Sequence, residues 1–281
     1  MKTERFFIGG VPAILYGDTS DAVWLFVHGK CGRKEEAEAF ADLACPAGAQ
    51  VLSVDLPGHG ERQAVQGAFN PWTVVPELQS VIAYGKPRWR TFSLRATSIG
   101  AYFSMLAFAR VPLRRALLVS PIVDMEQLIC DMMTWAGVGE AELRTRGEIP
   151  TDFGETLSWQ YLSWVRAHPP EGLHCPTSIL YAGHDNLTSR ETITAFAETH
   201  HAALTVVPDG EHWFHTPEQL RTLADWERSS LGREDCVGRN SPGKKEDAAF
   251  CFAARRNDNG RETPTASAQL RETEYGFQAG K

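Results

Sequence analysis

The chain has 281 residues, 43% of them apolar and 10% aromatic, enough for a large α/β domain with its own core or for two small domains; we read one domain. A formal net charge of −7 argues against an extended nucleic-acid footprint, which is normally basic and clustered on one face. Six cysteines, Cys31, Cys45, Cys130, Cys175, Cys236 and Cys251, form neither a C-x-x-C pair nor a dense framework, so they are expected as thiols in a reducing cytoplasm. Only a few apolar residues stand between Met1-Lys2-Thr3-Glu4-Arg5 and Gly9-Gly10, so neither a signal-peptide core nor a spanning helix is expected there.

Short β-rich runs alternate with longer helical patterns, the signature of a mostly parallel sheet with helices on both faces. Phe6 to Tyr16 reads as an opening pair of strands. Ala22 to His28 is a nearly continuous apolar run, as a strand buried on both faces should be, and it ends in Gly29. Lys34 to Leu43 has helical spacing, Gln50 to Asp55 is a strand, and Pro71 to Tyr84 is a helix. Arg90 to Thr97 is a strand, Ile99 to Arg110 a helix, and Arg115 to Ser120 a strand.

From Pro121 to Cys175 the rhythm breaks. Apolar and aromatic residues, including Met132, Met133, Trp135, Trp159, Tyr161, Leu162 and Trp164, recur at helical spacing, and no strand run is evident. We read residues 121–175 as a helical cap over the carboxyl edge of the sheet; the same aromatics can equally be ordinary core. The sheet resumes at Pro176 to Ala182, followed by a helix from Ser189 to Thr199 and a last strand from Leu204 to Val207. The closing helix, Thr216 to Ser229, has Pro217 in its first turn. Residues 231–281 have mixed charges, few large apolar residues and no period, which predicts a disordered tail.

Three segments carry candidate chemistry, in the chain order Ser, Asp, His. Ser98, in Ala96-Thr97-Ser98-Ile99-Gly100, lies between a strand and a helix, where a nucleophilic hydroxyl must be thrust out on a strained turn. Gly100 supplies one small neighbour, and Ala96 stands where G-x-S-x-G has its first glycine. Serine at a helix start also serves as a simple cap. Asp185 follows a strand in Gly183-His184-Asp185, placed to hold the neutral tautomer of an imidazole and to stabilise its cation. Asp124, after the preceding strand, is the alternative acid, and Asp185 as a helix cap is the structural one. His212, in the turn Asp209-Gly210-Glu211-His212-Trp213, is the candidate general base and acid, since imidazole titrates near neutrality. His215 has no further partner at ligand spacing, so no metal is expected. The oxyanion donors are expected to be the backbone N–H groups of Ile99 and of Lys30, in His28-Gly29-Lys30. The Lys30 side chain is either solvated or faces an acidic substrate group. Asp55-Leu56-Pro57-Gly58-His59-Gly60-Glu61-Arg62 predicts a tight loop near the site, with His59 and Arg62 in mainly structural roles.

Taken together, His28-Gly29, Asp55-Leu56-Pro57-Gly58-His59-Gly60, Ser98-Ile99-Gly100, Gly183-His184-Asp185 and Gly210-Glu211-His212 resemble the α/β-hydrolase superfamily, in its esterase and lipase-like serine hydrolase branch. The resemblance covers about the first four-fifths of the chain and implies an eight-stranded, mostly parallel sheet over residues 1–230, with the nucleophile after the central strand. It further implies an acyl-enzyme on Ser98 formed from a small or medium carboxylic ester, without metal or organic cofactor. Nucleic acid and membranes are not expected partners. Two other readings stay open. One is an aminopeptidase or short-peptide hydrolase of the same fold, with Glu126, Asp131 or Glu155 holding a charged terminus; the other is a binding module that has lost catalysis.

Overall fold

In the computed structural model, which describes residues 1–232, the centre of the sheet is built from strands buried on both faces. The chain opens with β1 (Thr3–Ile8) and β2 (Val11–Tyr16), followed by β3 (Ala22–Val27), α1 (Ala37–Ala44) and β4 (Gln50–Val54). Next come α2 (Pro71–Gly85), β5 (Thr91–Thr97), α3 (Ile99–Phe108) and β6 (Leu113–Val119). After them lie α4 (Met125–Trp135), α5 (Glu140–Arg146), β7 (Glu148–Pro150), β8 (Thr156–Ser158) and α6 (Trp159–Ala167). The described part closes with β9 (Thr177–His184), α7 (Arg190–Thr199), β10 (Ala203–Glu211) and α8 (Pro217–Leu231).

Eight of these strands form one sheet in the order β1-β2-β4-β3-β5-β6-β9-β10. The β1–β2 and β2–β4 pairs are antiparallel, and every later neighbour is parallel. The chain runs outward from β3 to β4 and then returns past β3 to β5. Strand order therefore reverses between β3 and β5, which opens a crevice beyond their carboxyl ends, the usual place for a ligand in such sheets.

Side-chain alternation along β3 divides the core in two. Trp24 and Phe26 face α1, where Phe40, Ala37, Ala41 and Ala44 meet them, with Trp226 of α8 alongside. Val23, Leu25 and Val27 face the other way, toward Leu78 of α2 and Ala101, Tyr102 and Phe103 of α3. Burying each large apolar side chain contributes about 1.5–3 kcal/mol, so these two layers supply the main driving force for the fold. One charged pair crosses the core, Arg95 Nε of β5 donating to Glu227 Oε1 of α8 at 2.8 Å, with both side chains 5% exposed.

The starts of α2, α7 and α8 carry side-chain caps. Asn70 Oδ1 accepts from Thr73 N at 3.0 Å, Ser189 Oγ from Thr192 N at 3.1 Å, and Thr216 Oγ1 from Gln219 N at 3.2 Å.

The segment between β6 and β9 departs from the expected purely helical cap. It contains α4, α5 and α6 but also a two-stranded antiparallel hairpin, β7–β8, whose strands have only three residues each. A strand of that length has no alternation to read. The aromatics of this region divide between the two readings: Trp159, Tyr161 and Trp164 pack against the core, whereas Trp135 stands 52% exposed. The expected N-terminus of the first helix also shifts, because Lys34–Glu36 forms a separate 3-10 turn in which Lys34 is buried. From residue 233 on, the expected disordered tail, with Cys236 and Cys251, lies outside the described residues.

Candidate active site

Ser98 sits between the end of β5 and the start of α3 with φ 53° and ψ −127°, a backbone conformation that costs a non-glycine residue energy and is retained where surrounding contacts enforce it. Those contacts are on both sides. Ser98 N donates to Val119 O of β6 at 3.0 Å, and Ser98 O accepts from Ile122 N at 3.2 Å. Close approach needs small residues: a Cβ on Gly100 would lie 2.2 Å from His28 O, and one on Gly29 would lie 3.2 Å from Ser98 Cβ. At position 96 the chain has alanine, fully buried in β5, and the turn forms with that methyl group in place.

Ser98 occupies the N-cap position of α3, yet its side chain makes no capping hydrogen bond. Its Oγ lies 2.8 Å from His212 Nε2 instead. His212 Nδ1 lies 2.7 Å from Asp185 Oδ2. The serine, the imidazole and the carboxylate therefore form one continuous hydrogen-bonded chain, with the Asp185 side chain completely buried and that of His212 15% exposed.

Asp185 is held from its other oxygen. Oδ1 accepts from Leu187 N at 2.8 Å and Thr188 N at 3.1 Å, so the residue also closes the turn after β9. That turn is tied down in two further places, by Tyr181 Oη donating to Thr188 O at 2.8 Å and by Thr188 Oγ1 donating to Pro121 O at 3.2 Å. His212 follows directly on β10, whose register against β9 shifts between Val207 and Glu211. Gly183 makes the shift possible, since a Cβ there would meet Pro208 O at 2.2 Å. Asp124, the alternative acid, is the exposed N-cap of α4, where its Oδ1 accepts from Gln127 N at 2.9 Å. The carboxylate joined to His212 is that of Asp185.

The loop after β3 runs beside Ser98. His28 is fully buried, and its Nε2 accepts from Leu56 N at 3.1 Å while Nδ1 donates to Gly29 O at 2.7 Å, which fixes a neutral tautomer. Burial pushes its pKa down to about 4. Ile99 is the first residue of α3, so its N–H has no carbonyl one turn back and points out of the helix end beside Ser98. Lys30 follows Gly29 in the same crevice, and its ammonium pairs with Glu155, between β7 and β8. This pair joins the segment between β6 and β9 to the loop after β3.

Two side chains beside the site carry interactions that sequence patterns do not reveal. Lys34, in a run of charges that reads as a solvated helix face, is 1% exposed and bonded to the fully buried Asp55. Glu155 is matched to Lys30 across 125 positions of chain, a pairing that no local spacing signals. The loop after β4 otherwise behaves as a scaffold: Arg62 holds Glu77 with two hydrogen bonds of 2.6 and 2.7 Å, and the His59 ring packs on Phe69 at 4.5 Å. His215 Nδ1 donates to Trp213 O at 2.7 Å.

No protein-family model matches this chain, and no curated protein matches it in sequence. Solved structures do resemble it. Est1E from Butyrivibrio proteoclasticus with ferulic acid bound superposes with a TM-score of 0.67 at 18% identity, over 81% of this chain and 97% of that one. Mouse alpha/beta hydrolase domain-containing protein 10 gives a TM-score of 0.64 at 12% identity, over 82% and 98%. An esterase from Pyrococcus furiosus gives 0.57 at 14% identity, over 82% and 88%. At such identities the likeness is one of architecture, and with the sheet order and strand directions described above it shows that this chain has the α/β-hydrolase fold.

Proposed function

We propose that the protein is a serine hydrolase that cleaves a small or medium carboxylic ester through an acyl-enzyme on Ser98. The observation that carries this reading is the Ser98–His212–Asp185 hydrogen-bonded chain, with its serine held at positive φ at the strand-order reversal. The likeness to esterases supports it at the level of fold.

Each step follows from a named atom. His212 Nε2 takes the Ser98 proton as Oγ attacks the carbonyl carbon, and the carbonyl π electrons move onto oxygen. The Lys30 and Ile99 N–H groups receive that oxyanion; donors preset where charge develops are the largest single source of such catalysis. The imidazolium then protonates the departing alkoxide, releasing the alcohol and leaving Ser98 acylated. A water molecule, deprotonated by His212, attacks the ester carbon, and collapse of the second intermediate returns the proton to Ser98 Oγ and frees the acid. Asp185 keeps Nδ1 protonated and stabilises the imidazolium without accepting its proton.

Nothing in this sequence of steps calls for a metal or organic cofactor. The cytoplasm is the compartment we propose, in keeping with free thiols at Cys31, Cys45, Cys130 and Cys175. Among the described residues no helix is long and apolar enough to cross a membrane. The peptidase reading gains little, because the cap carboxylates it would use are already engaged: Glu126 by Arg166, Asp131 by Gln127 and Glu155 by Lys30.

A panel of p-nitrophenyl esters of graded acyl length, with aminoacyl arylamides beside it, tests the proposal. Ester turnover is expected in the natural chain, falling by at least about 1,000-fold in Ser98→Ala. Undiminished turnover in that variant would reject the nucleophile, and turnover of the amides alone would move the assignment to a peptidase.

A further inference from the structure

The loop from His28 to Lys34 has to hold one N–H steady, and both of its ends are fastened to the same neighbouring segment, residues 55–61. At the first end, His28 Nε2 accepts from Leu56 N. At the second, Lys34 N donates to Asp55 Oδ1 at 2.8 Å, and Lys34 Nζ donates to Asp55 Oδ2 at 2.7 Å and to Glu61 Oε1 at 2.6 Å. Glu35 adds a longer contact to Nζ at 3.2 Å. Between the two ends the loop turns sharply. Cys31 has φ 63°, and Gly29 O accepts from Gly32 N at 3.2 Å. The position of Lys30 N–H thus follows from where the two ends are tied.

Surrounding backbone is shaped to admit the charged pair. Glu61 N donates to Asp55 Oδ2 at 3.0 Å, and Gly60, at φ 51°, leaves space that a Cβ would close, at 2.1 Å from Asp55 Oδ1. Burial opposes both charges, yet hydrogen bonds to Asp55, Glu61 and Glu35 hold the Lys34 ammonium above its usual range, and those from Lys34 hold the Asp55 carboxyl below its own. An apolar pair of similar volume commonly serves stability as well as a buried ion pair, so stability gives no special reason for the charges. What a directional cluster of three partners around one ammonium adds is a fixed geometry.

Resting on the serine hydrolase reading, we infer that Lys34 is a positioning residue of the oxyanion site, its ammonium clamping the 28–34 loop to Asp55 and Glu61 so that Lys30 N–H stays aimed beside Ser98. Lys34 touches no reacting atom; it acts through the backbone of Lys30.

The test uses the full chain and pairs an ester that it hydrolyses with the thionoester analogue, whose sulfur accepts hydrogen bonds poorly and so gains little from the oxyanion donors. Lys34→Met combined with Asp55→Asn removes both charges at once and leaves neither buried alone. With the melting temperature and circular dichroism establishing that this variant folds, kcat on the ester is expected to fall by roughly 10- to 100-fold with KM within about twofold, and the ester-to-thionoester rate ratio to fall in step. A folded variant with unchanged kcat and unchanged ratio overturns the inference, and so does a fall in kcat that leaves the ratio untouched. Should the double variant fail to fold, Glu61→Gln decides: its side chain is 55% exposed, so its loss strands no buried charge. There a fall of about threefold with the same shift in ratio is expected, and an unmoved ratio overturns the inference. Ser98→Ala run alongside separates the two readings. Turnover that survives it removes the serine hydrolase reading and this inference together, whereas Ser98-dependent turnover with an unmoved ratio removes this inference alone.

Discussion

The rim that carries Ser98, Asp185 and His212 and the segment of residues 121–175, which we propose as a cap, hold their side chains in place by opposite means. At the rim, each polar group follows the carboxyl end of a parallel strand, and backbone contacts too close for any Cβ, at Gly100 and Gly183, leave it little freedom. The cap is made of short elements. Its inner face, with Leu128, Ile129, Leu143, Leu157 and Leu162, joins the main core, while its outer face is laced by exposed ion pairs from Arg166 to Glu126 and Glu140. The comparison separates the part of the molecule that must be accurate from the part that can vary. A misplacement of about 1 Å at the rim breaks a hydrogen-bonded chain, whereas on the outer cap it only rearranges solvated charges.

The sharpest way to break this contrast is Asp185→Asn, which preserves size but no longer favours the required imidazole tautomer. A fall in kcat of about 10,000-fold is expected, with a melting temperature close to that of the natural chain. A loss below tenfold would place Asp185 on the tolerant side with the cap.

Acidification probes the same rim through the fold. His28 is neutral in the folded chain with a pKa near 4, against 6.5 when exposed. Between those values the unfolded chain binds more protons, so stability is full above pH 6.5 and declines as the pH falls toward 4, by on the order of 3 kcal/mol at the lower limit. Asp55, held below 3.8, acts in the same direction at lower pH, its contribution being lost as its carboxylate takes up a proton. Denaturant titrations at pH 7 and 4.5 measure the slope, and His28→Gln is expected to flatten it between those values. An equal slope in both chains contradicts the role given to His28.

The smallest effect belongs to the cap. Arg166→Met removes ion pairs whose acidic partners, Glu126 and Glu140, have side chains 45% and 51% exposed, so a shift in melting temperature within about 2 °C and an unchanged kcat are expected. A larger fall in either would show that the cap is held as tightly as the rim.

How much of this was legible beforehand depended on how local the signal is. The run Ala22 to His28 reads as a strand buried on both faces because it is nearly continuously apolar, and β3 (Ala22–Val27) is placed that way. Thr216-Pro217 reads as a helix start for the same local reason. The order Ser98, Asp185, His212 picked out three residues whose side chains the fold brings into one hydrogen-bonded chain, since each ends a strand in a sheet whose parallel topology gathers those ends together. Lys34 escaped because its burial is conferred by Asp55, 21 positions further on, and nothing in Arg33-Lys34-Glu35-Glu36 separates it from a solvated charge cluster. The β7–β8 hairpin escaped because three residues show no alternation. Both are products of tertiary contact, which local pattern does not encode.

In the proposed mechanism the Ser98 oxygen forms the covalent bond. Treating the full chain with a fluorophosphonate and mapping the adduct by peptide mass spectrometry tests it directly. One phosphonyl group per chain on Ser98, ester hydrolysis lost in proportion to labelling, and no adduct in Ser98→Ala are expected; an adduct on another residue, or turnover that persists at full labelling, contradicts Ser98 as the nucleophile.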